Sequence, residues 1–166
     1  MAQICKISEQ VNIKSSAHKY YQFFKNKMDY VLVQMFPEIY KSCKVVEGNG
    51  YSHGSIIHLK YNAGEDLHQP SFQTFSVLGR PEEMKERLAI DDANKSITFE
   101  CLEGDALRDF EVLKLKFQVF ENGNNGGTVN WSIEFVKANE DVASPHHYLL
   151  CVSKVAKGLD DYLCNN

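Results

Sequence analysis

Hydrophobic and polar positions alternate along residues 112–120, where Leu113, Leu115, Phe117 and Val119 stand against Lys114, Lys116 and Gln118. After a Gly/Asn-rich turn the alternation resumes over 129–135, with Val129, Trp131, Ile133 and Phe135 set against Asn130, Ser132 and Glu134. Successive side chains of a strand point to opposite faces, so each segment predicts a strand apolar on one side only. Joined through glycine and asparagine, the two predict an antiparallel hairpin. Ser144-Pro145 then reads as N-cap and first helical residue. Behind it Tyr148, Val152, Val155, Leu159 and Tyr162 follow at steps of four, three, four and three, one stripe of a helix. A one-sided sheet needs a cover, and this helix supplies one.

The same reading carried upstream predicts a first strand over 3–13, with Cys5, Ile7, Val11 and Ile13 on one face. Glu9 shares that face. Ser15-Ser16 offers a cap for a short helix over 17–25, and a second short helix over 27–35 ends before Pro37. Further strands are expected at 39–47, 55–61, 82–90 and 96–103. The stretch 63–81 is the least regular, with a further strand expected at 72–78. No linker, repeat or low-complexity tract interrupts the chain. The expectation is one α+β domain over 1–166, in which about seven antiparallel strands curl around a terminal helix.

Composition narrows the functions. The chain has 166 residues, 43% hydrophobic and 24% charged, with a formal net charge of −4. That is enough chain for a real core, and the negative balance argues against nucleic acid, which is held by basic patches. No run approaches the ~18 apolar residues of a membrane span. No secretory leader is legible at the start, so the chain reads as cytoplasmic. Five scattered cysteines lack the spacing of a zinc or redox motif and read as free thiols. The loop Gly48-Asn-Gly50-Tyr-Ser-His-Gly54 lies between strands, without the helix and Lys-Ser/Thr of a nucleotide loop. His146 and His147 are adjacent and diverge on a helix, and no other histidine spacing suggests a metal. No metal and no cofactor is therefore expected.

Several stretches together carry a family likeness: Ile90-Asp-Asp-Ala-Asn-Lys-Ser-Ile-Thr-Phe99, Glu103-Gly-Asp-Ala-Leu107, Val129-Asn-Trp-Ser-Ile-Glu-Phe135 and Pro145-His-His-Tyr-Leu149. Pro37-Glu-Ile-Tyr-Lys-Ser-Cys43 and Lys137-Ala-Asn-Glu-Asp141 add to it. On these the chain resembles the major latex protein group of the plant pathogenesis-related class ten and birch-pollen-allergen superfamily. The resemblance implies a helix-grip fold, in which a seven-stranded antiparallel sheet wraps the long terminal helix and two short helices follow the first strand. It also implies a large internal hydrophobic cavity that binds small hydrophobic plant metabolites, alkaloid, steroid or hormone-like. Some relatives are cofactor-free enzymes, which keeps an isomerase or cyclase as the alternative. The glycine loop and the 63–81 stretch depart from the usual family pattern.

Family positions and strand alternation together place Ile57, Leu59, Tyr61, Ile97, Phe99, Cys101, Leu113, Leu115 and Phe117 on the lining. The helix adds Tyr148, Val152, Val155 and Leu159, and Tyr30 is expected as a further hydroxyl donor. Gly158, a costly residue in mid-helix, is expected to give room to a ligand or a strand. No nucleophile elbow is present, so any chemistry would be proton transfer by Tyr61, Glu86 and Tyr148, since an enclosed apolar space raises carboxyl pKa values. Asp66 and His68 are candidates for a lid. The partner is expected to be a small metabolite, with the protein a monomer or homodimer.

Overall fold

Ser16 starts the first helix: its hydroxyl accepts from the Lys19 amide at 3.2 Å, satisfying one of the donors that a helix start leaves open. This contact belongs to a computed structural model that describes residues 3–63, 80–123 and 126–165. The expected strand at 72–78 and the lid residues Asp66 and His68 lie outside the described residues.

The strands are β1 (Cys5–Ile13), β2 (Tyr40–Glu47), β3 (Ile56–Ala63), β4 (Arg80–Asp91), β5 (Ser96–Gly104), β6 (Phe110–Glu121) and β7 (Gly127–Lys137). They form one antiparallel sheet in the order β1-β7-β6-β5-β4-β3-β2. The first two strands therefore sit at opposite ends of the sheet. The chain crosses between them through α1 (Ala17–Asn26) and a π-helical turn (Tyr30–Gln34). A 3-10 turn, Asp105–Arg108, follows β5, and α2 (His146–Cys164) closes the fold.

Most expected elements are present, with bounds shifted by a residue or two. The second short helix is shorter than expected and wide-wound: Met35 N–H reaches back to the Tyr30 carbonyl at 3.2 Å, five residues away. The α2 cap also differs. The helix starts at His146, Pro145 occupies the cap position and offers no side-chain acceptor. Ser144 instead lends its carbonyl to the His146 amide at 2.8 Å.

Alternation governs burial in the sheet. In β4 the inward residues are Glu82, Met84, Glu86 and Leu88, while Glu83, Arg87 and Ala89 face out. Lys85 and Arg87 reach toward Glu103 and Glu100 on the outer face, at 3.7 and 3.9 Å. His58 is also outward, 3.2 Å from Glu83.

The interior has two unlike halves. Under α1 it is solid aromatic: Phe24 stacks on Phe117 with centroids 4.6 Å apart. Trp131 lies 5.2 Å from Phe117 and 5.9 Å from Phe99. Tyr20 and Tyr21 stack on Phe117 from the helix. The Tyr20 hydroxyl donates to the Ala156 carbonyl of α2 at 2.9 Å, and that of Tyr21 donates to Asp92 at 2.7 Å. This half is locked at both ends. In the other half, toward the start of α2, the described residues leave a cavity.

Candidate functional site

β2, β3, β4 and β6 supply one wall of a cavity and the first turns of α2 supply the other. Its lining includes Ile39, Tyr40, Leu59, Tyr61, Met84, Glu86, Leu115, Tyr148, Cys151 and Val152. The register explains the gathering: Leu59 pairs with Met84 and Tyr61 with Glu82 across β3 and β4. Tyr148, Cys151 and Val152 are spaced by three or four on α2 and so share one face. Beside Glu86 the β4–β5 ladder slips by one residue, so Lys85 pairs with Glu103 but Glu86 with Cys101. Such bulges bend a strand and re-aim side chains. Gly104 allows the close approach at this point: its φ is +131°, and a Cβ there would collide with Glu83 and Met84 of β4.

The cavity measures about 40 Å³. Pockets that enclose drug-sized ligands run to roughly 300–1,000 Å³, so this space holds a few waters. Met84, flexible at three torsions, is the lining side chain most able to change this volume.

Two polar groupings differ sharply. In the first, Tyr61 and Tyr148 hydroxyls lie 3.2 and 3.1 Å from Glu82 Oε1 and 3.3 Å from each other. Two hydroxyl protons serve three contacts, so the three oxygens share one network. Arg80 donates to the other carboxylate oxygen at 2.8 Å from outside, with Arg108 at 3.6 Å. Glu82 thus joins an exposed arginine pair to the interior. Burial, aided by Tyr148 and Glu82, raises the pKa of Tyr61 far above the tyrosine range; for Tyr148 burial raises it against the opposing hydrogen bond with Tyr61, and both hydroxyls stay protonated.

The second grouping has no such support. Glu86 is 2% exposed, and no hydrogen bond reaches its carboxyl among the described residues. Burial alone pushes its pKa up to about 8. Tyr40, also buried, has no hydroxyl partner among the described residues, and its pKa is well above the ordinary value through burial and the nearby Cys151 and Glu86. Cys43 and Cys101 are pushed up to about 12, chiefly by burial, and are neutral thiols.

Of the residues expected at the site, Leu59, Tyr61, Glu86, Leu115, Tyr148 and Val152 come together around this cavity. Ile57, Ile97, Phe99, Cys101, Leu113, Phe117, Val155 and Leu159 are buried in the core instead, Phe99 and Phe117 within the aromatic half. Tyr30 points away from the interior: it is 40% exposed and packs on Phe23 and Tyr162 at the surface. Its place in the π-helical turn, rather than in a regular helix, turns it outward. Gly158 makes room for the Phe36 ring, which a Cβ would strike. Tyr40, Met84, Cys151 and Glu82 were not singled out in the sequence. For Met84 and Glu82 the signal was available, since both alternate in phase with Glu86. Among the described residues no group of three His, Cys, Asp or Glu could hold a metal ion, and no helix is long and apolar enough to cross a membrane.

A single curled antiparallel sheet closing on a long terminal helix defines the helix-grip class. Residues 2–166 match the pathogenesis-related protein Bet v 1 family, and the chain belongs to that family, whose members bind small hydrophobic ligands. It is 28% identical to major latex protein 146 of Papaver somniferum, over 96% of this chain and 91% of that one. It is 31% identical to MLP-like protein 34 of Arabidopsis thaliana over 95% of its own length and 46% of that longer protein. Among solved structures, the major latex-like protein 151 of Panax ginseng superposes with a TM-score of 0.81 at 24% identity, covering 96% and 97% of the two chains. Norcoclaurine synthase of Thalictrum flavum, crystallised with dopamine and hydroxybenzaldehyde, superposes with a TM-score of 0.77 at 14% identity, covering 99% and 89%.

Proposed function

We propose that this protein is an intracellular carrier of small apolar metabolites, alkaloid, steroid or hormone-like, taken up between α2 and the β3–β4 wall. Residues 1–166 then act as one ligand-binding domain, as a monomer or homodimer in the cytoplasm. The observation that carries this reading is the pairing of an apolar cavity with two buried polar groups, Glu86 and Tyr40, that make no side-chain hydrogen bond among the described residues. Buried polar groups are almost always hydrogen-bonded, so a guest that bonds them removes a standing penalty. Apolar burial at ~25 cal/mol per Å² supplies the rest of the affinity. Free thiols at all five cysteines fit a reducing compartment.

The test is uptake of an apolar fluorescent probe by the protein and by Val152→Phe, which fills the cavity from α2. The variant is expected to keep its circular dichroism and lose at least ten-fold in probe affinity. Undiminished uptake in the folded variant overturns the reading.

A second reading, a cofactor-free isomerase or cyclase, is favoured by one feature: an acid with a pKa about 8 can give or take a proton near neutrality. The same fold carries synthase chemistry in norcoclaurine synthase. Tyr61, Glu86 and Tyr148 would then relay the proton. Turnover of candidate metabolites, lost in Glu86→Gln, separates the two readings, since saturable binding without turnover leaves only the carrier.

A further inference from the structure

The polar side of the cavity is lopsided in charge. The groups that share it with Glu86 or surround its carboxyl are Tyr40 and Cys43 on β2, Tyr61 on β3 and Glu82 on β4. Cys101 on β5 and Tyr148 and Cys151 on α2 complete them. All are neutral or anionic. Among the described residues the lining contains no Lys, Arg or His, and Arg80 and Arg108, which reach Glu82, are exposed. The Tyr61 and Tyr148 hydroxyls are likewise held by Glu82. Among the described lining residues, Asn62 already donates its amide to the Glu38 carbonyl at 3.2 Å, and the carboxyl of Glu86 and the hydroxyl of Tyr40 remain for a guest.

We infer that the cavity selects compounds that carry one basic amine on an otherwise apolar skeleton, with the ammonium on the Glu86 carboxylate, next to the Tyr40 hydroxyl. This rests on the reading of the cavity as a ligand site. Three arguments support it. An ammonium brings the counter-charge that the described surroundings of Glu86 lack, and in a water-poor interior such a pair interacts strongly. Tyr40, Tyr61 and Tyr148 line the same space, and tyrosine rings attract cations on their faces. An organic anion meets no cationic side chain among the described lining residues and faces Glu86, and a neutral alcohol supplies a hydrogen bond and no charge. The proton balance is explicit. In the empty protein at pH 7 Glu86 carries its proton; when an ammonium binds, the carboxyl ionises and that proton passes to solvent.

A matched set of probes tests this: phenylbutylamine, phenylbutanol and phenylbutyrate, titrated calorimetrically at pH 7 in phosphate and in Tris. The amine is expected to bind at least ten-fold tighter than the alcohol and the carboxylate weakest. The enthalpy difference between buffers is expected to report close to one proton released per amine bound. Amine affinity is expected to climb by about tenfold per pH unit from pH 6 to 7.5, below the titration of Glu86. In Glu86→Gln the ratio of amine to alcohol affinity is expected to fall to near one; should that variant not fold, the proton count on the unaltered protein decides alone. Equal affinities for amine and alcohol, or amine binding without proton release, overturn the inference and leave the carrier reading standing. No binding by any of the three overturns both.

Discussion

Two buried carboxyls in this molecule are shifted in opposite directions, and donor count explains it. Asp160 on α2 accepts from the Lys14 and Ser15 amides at 2.9 Å each and from the Ser15 hydroxyl at 2.6 Å. Burial opposes its charge, but these bonds win and hold its pKa below the ordinary value. Its stabilising effect is therefore complete above the unfolded carboxylate range and is lost as pH falls through the lower folded value. Glu86 has no donors among the described residues, so burial prevails and its pKa rises to about 8. The unfolded chain releases this proton near pH ~4.3 and the folded one holds it to about 8, so stability erodes across that window as pH rises. Glu86→Gln, which cannot ionise, is expected to raise the melting temperature more at pH 8 than at pH 5. An equal shift at both would contradict the assignment. The inward aim of Glu86 was legible, because Met84 and Leu88 flank it in phase. The role of Asp160 was not, because its partners lie at the other end of the chain.

Elements were legible where a period was sustained and illegible where it was short. The β6–β7 hairpin and α2 follow directly from alternation and from the helical stripe. The buried face of α2 is wider than that stripe, taking in Leu149, Ser153, Ala156, Asp160 and Leu163. Ser153 is tolerated inside because its hydroxyl bonds Glu9 and the Leu149 carbonyl, both at 2.8 Å. The π-helical turn and the 3-10 turn are only five and four residues long, too short to show a period. The ladder slip beside Glu86 leaves no trace in polarity either. Gly158 shows how a correct oddity invites a wrong cause. Alanine there would ordinarily gain about 1 kcal/mol of helix propensity. Here its methyl meets Phe36, and Gly158→Ala is expected to lose roughly 1–3 kcal/mol through overpacking. Adding Phe36→Leu is expected to recover most of it, read by urea denaturation of both variants.

Across the whole molecule, alternation told which residues face inward but not how far apart the two layers stand. The expected lining therefore mixed residues of the solid half with those of the hollow half. Phe117 belongs to the solid half, and Phe117→Ala is expected to cost roughly 3–5 kcal/mol of stability, measured by urea titration. A loss below 1 kcal/mol would mean that the aromatic cluster is loosely packed. The strand order has an outcome for synthesis. Each residue of β1 from Cys5 to Ile13 has its ladder partner in β7, between Phe135 and Gly127. A ribosome making this chain from its N-terminus delivers the first strand long before its mate. The nascent segment must wait unpaired, with Cys5, Ile7, Val11 and Ile13 open to other chains, until β7 has emerged. Sheets closed by such distant partners assemble slowly, and this end-to-end seam is the place where newly made copies are most exposed to clumping.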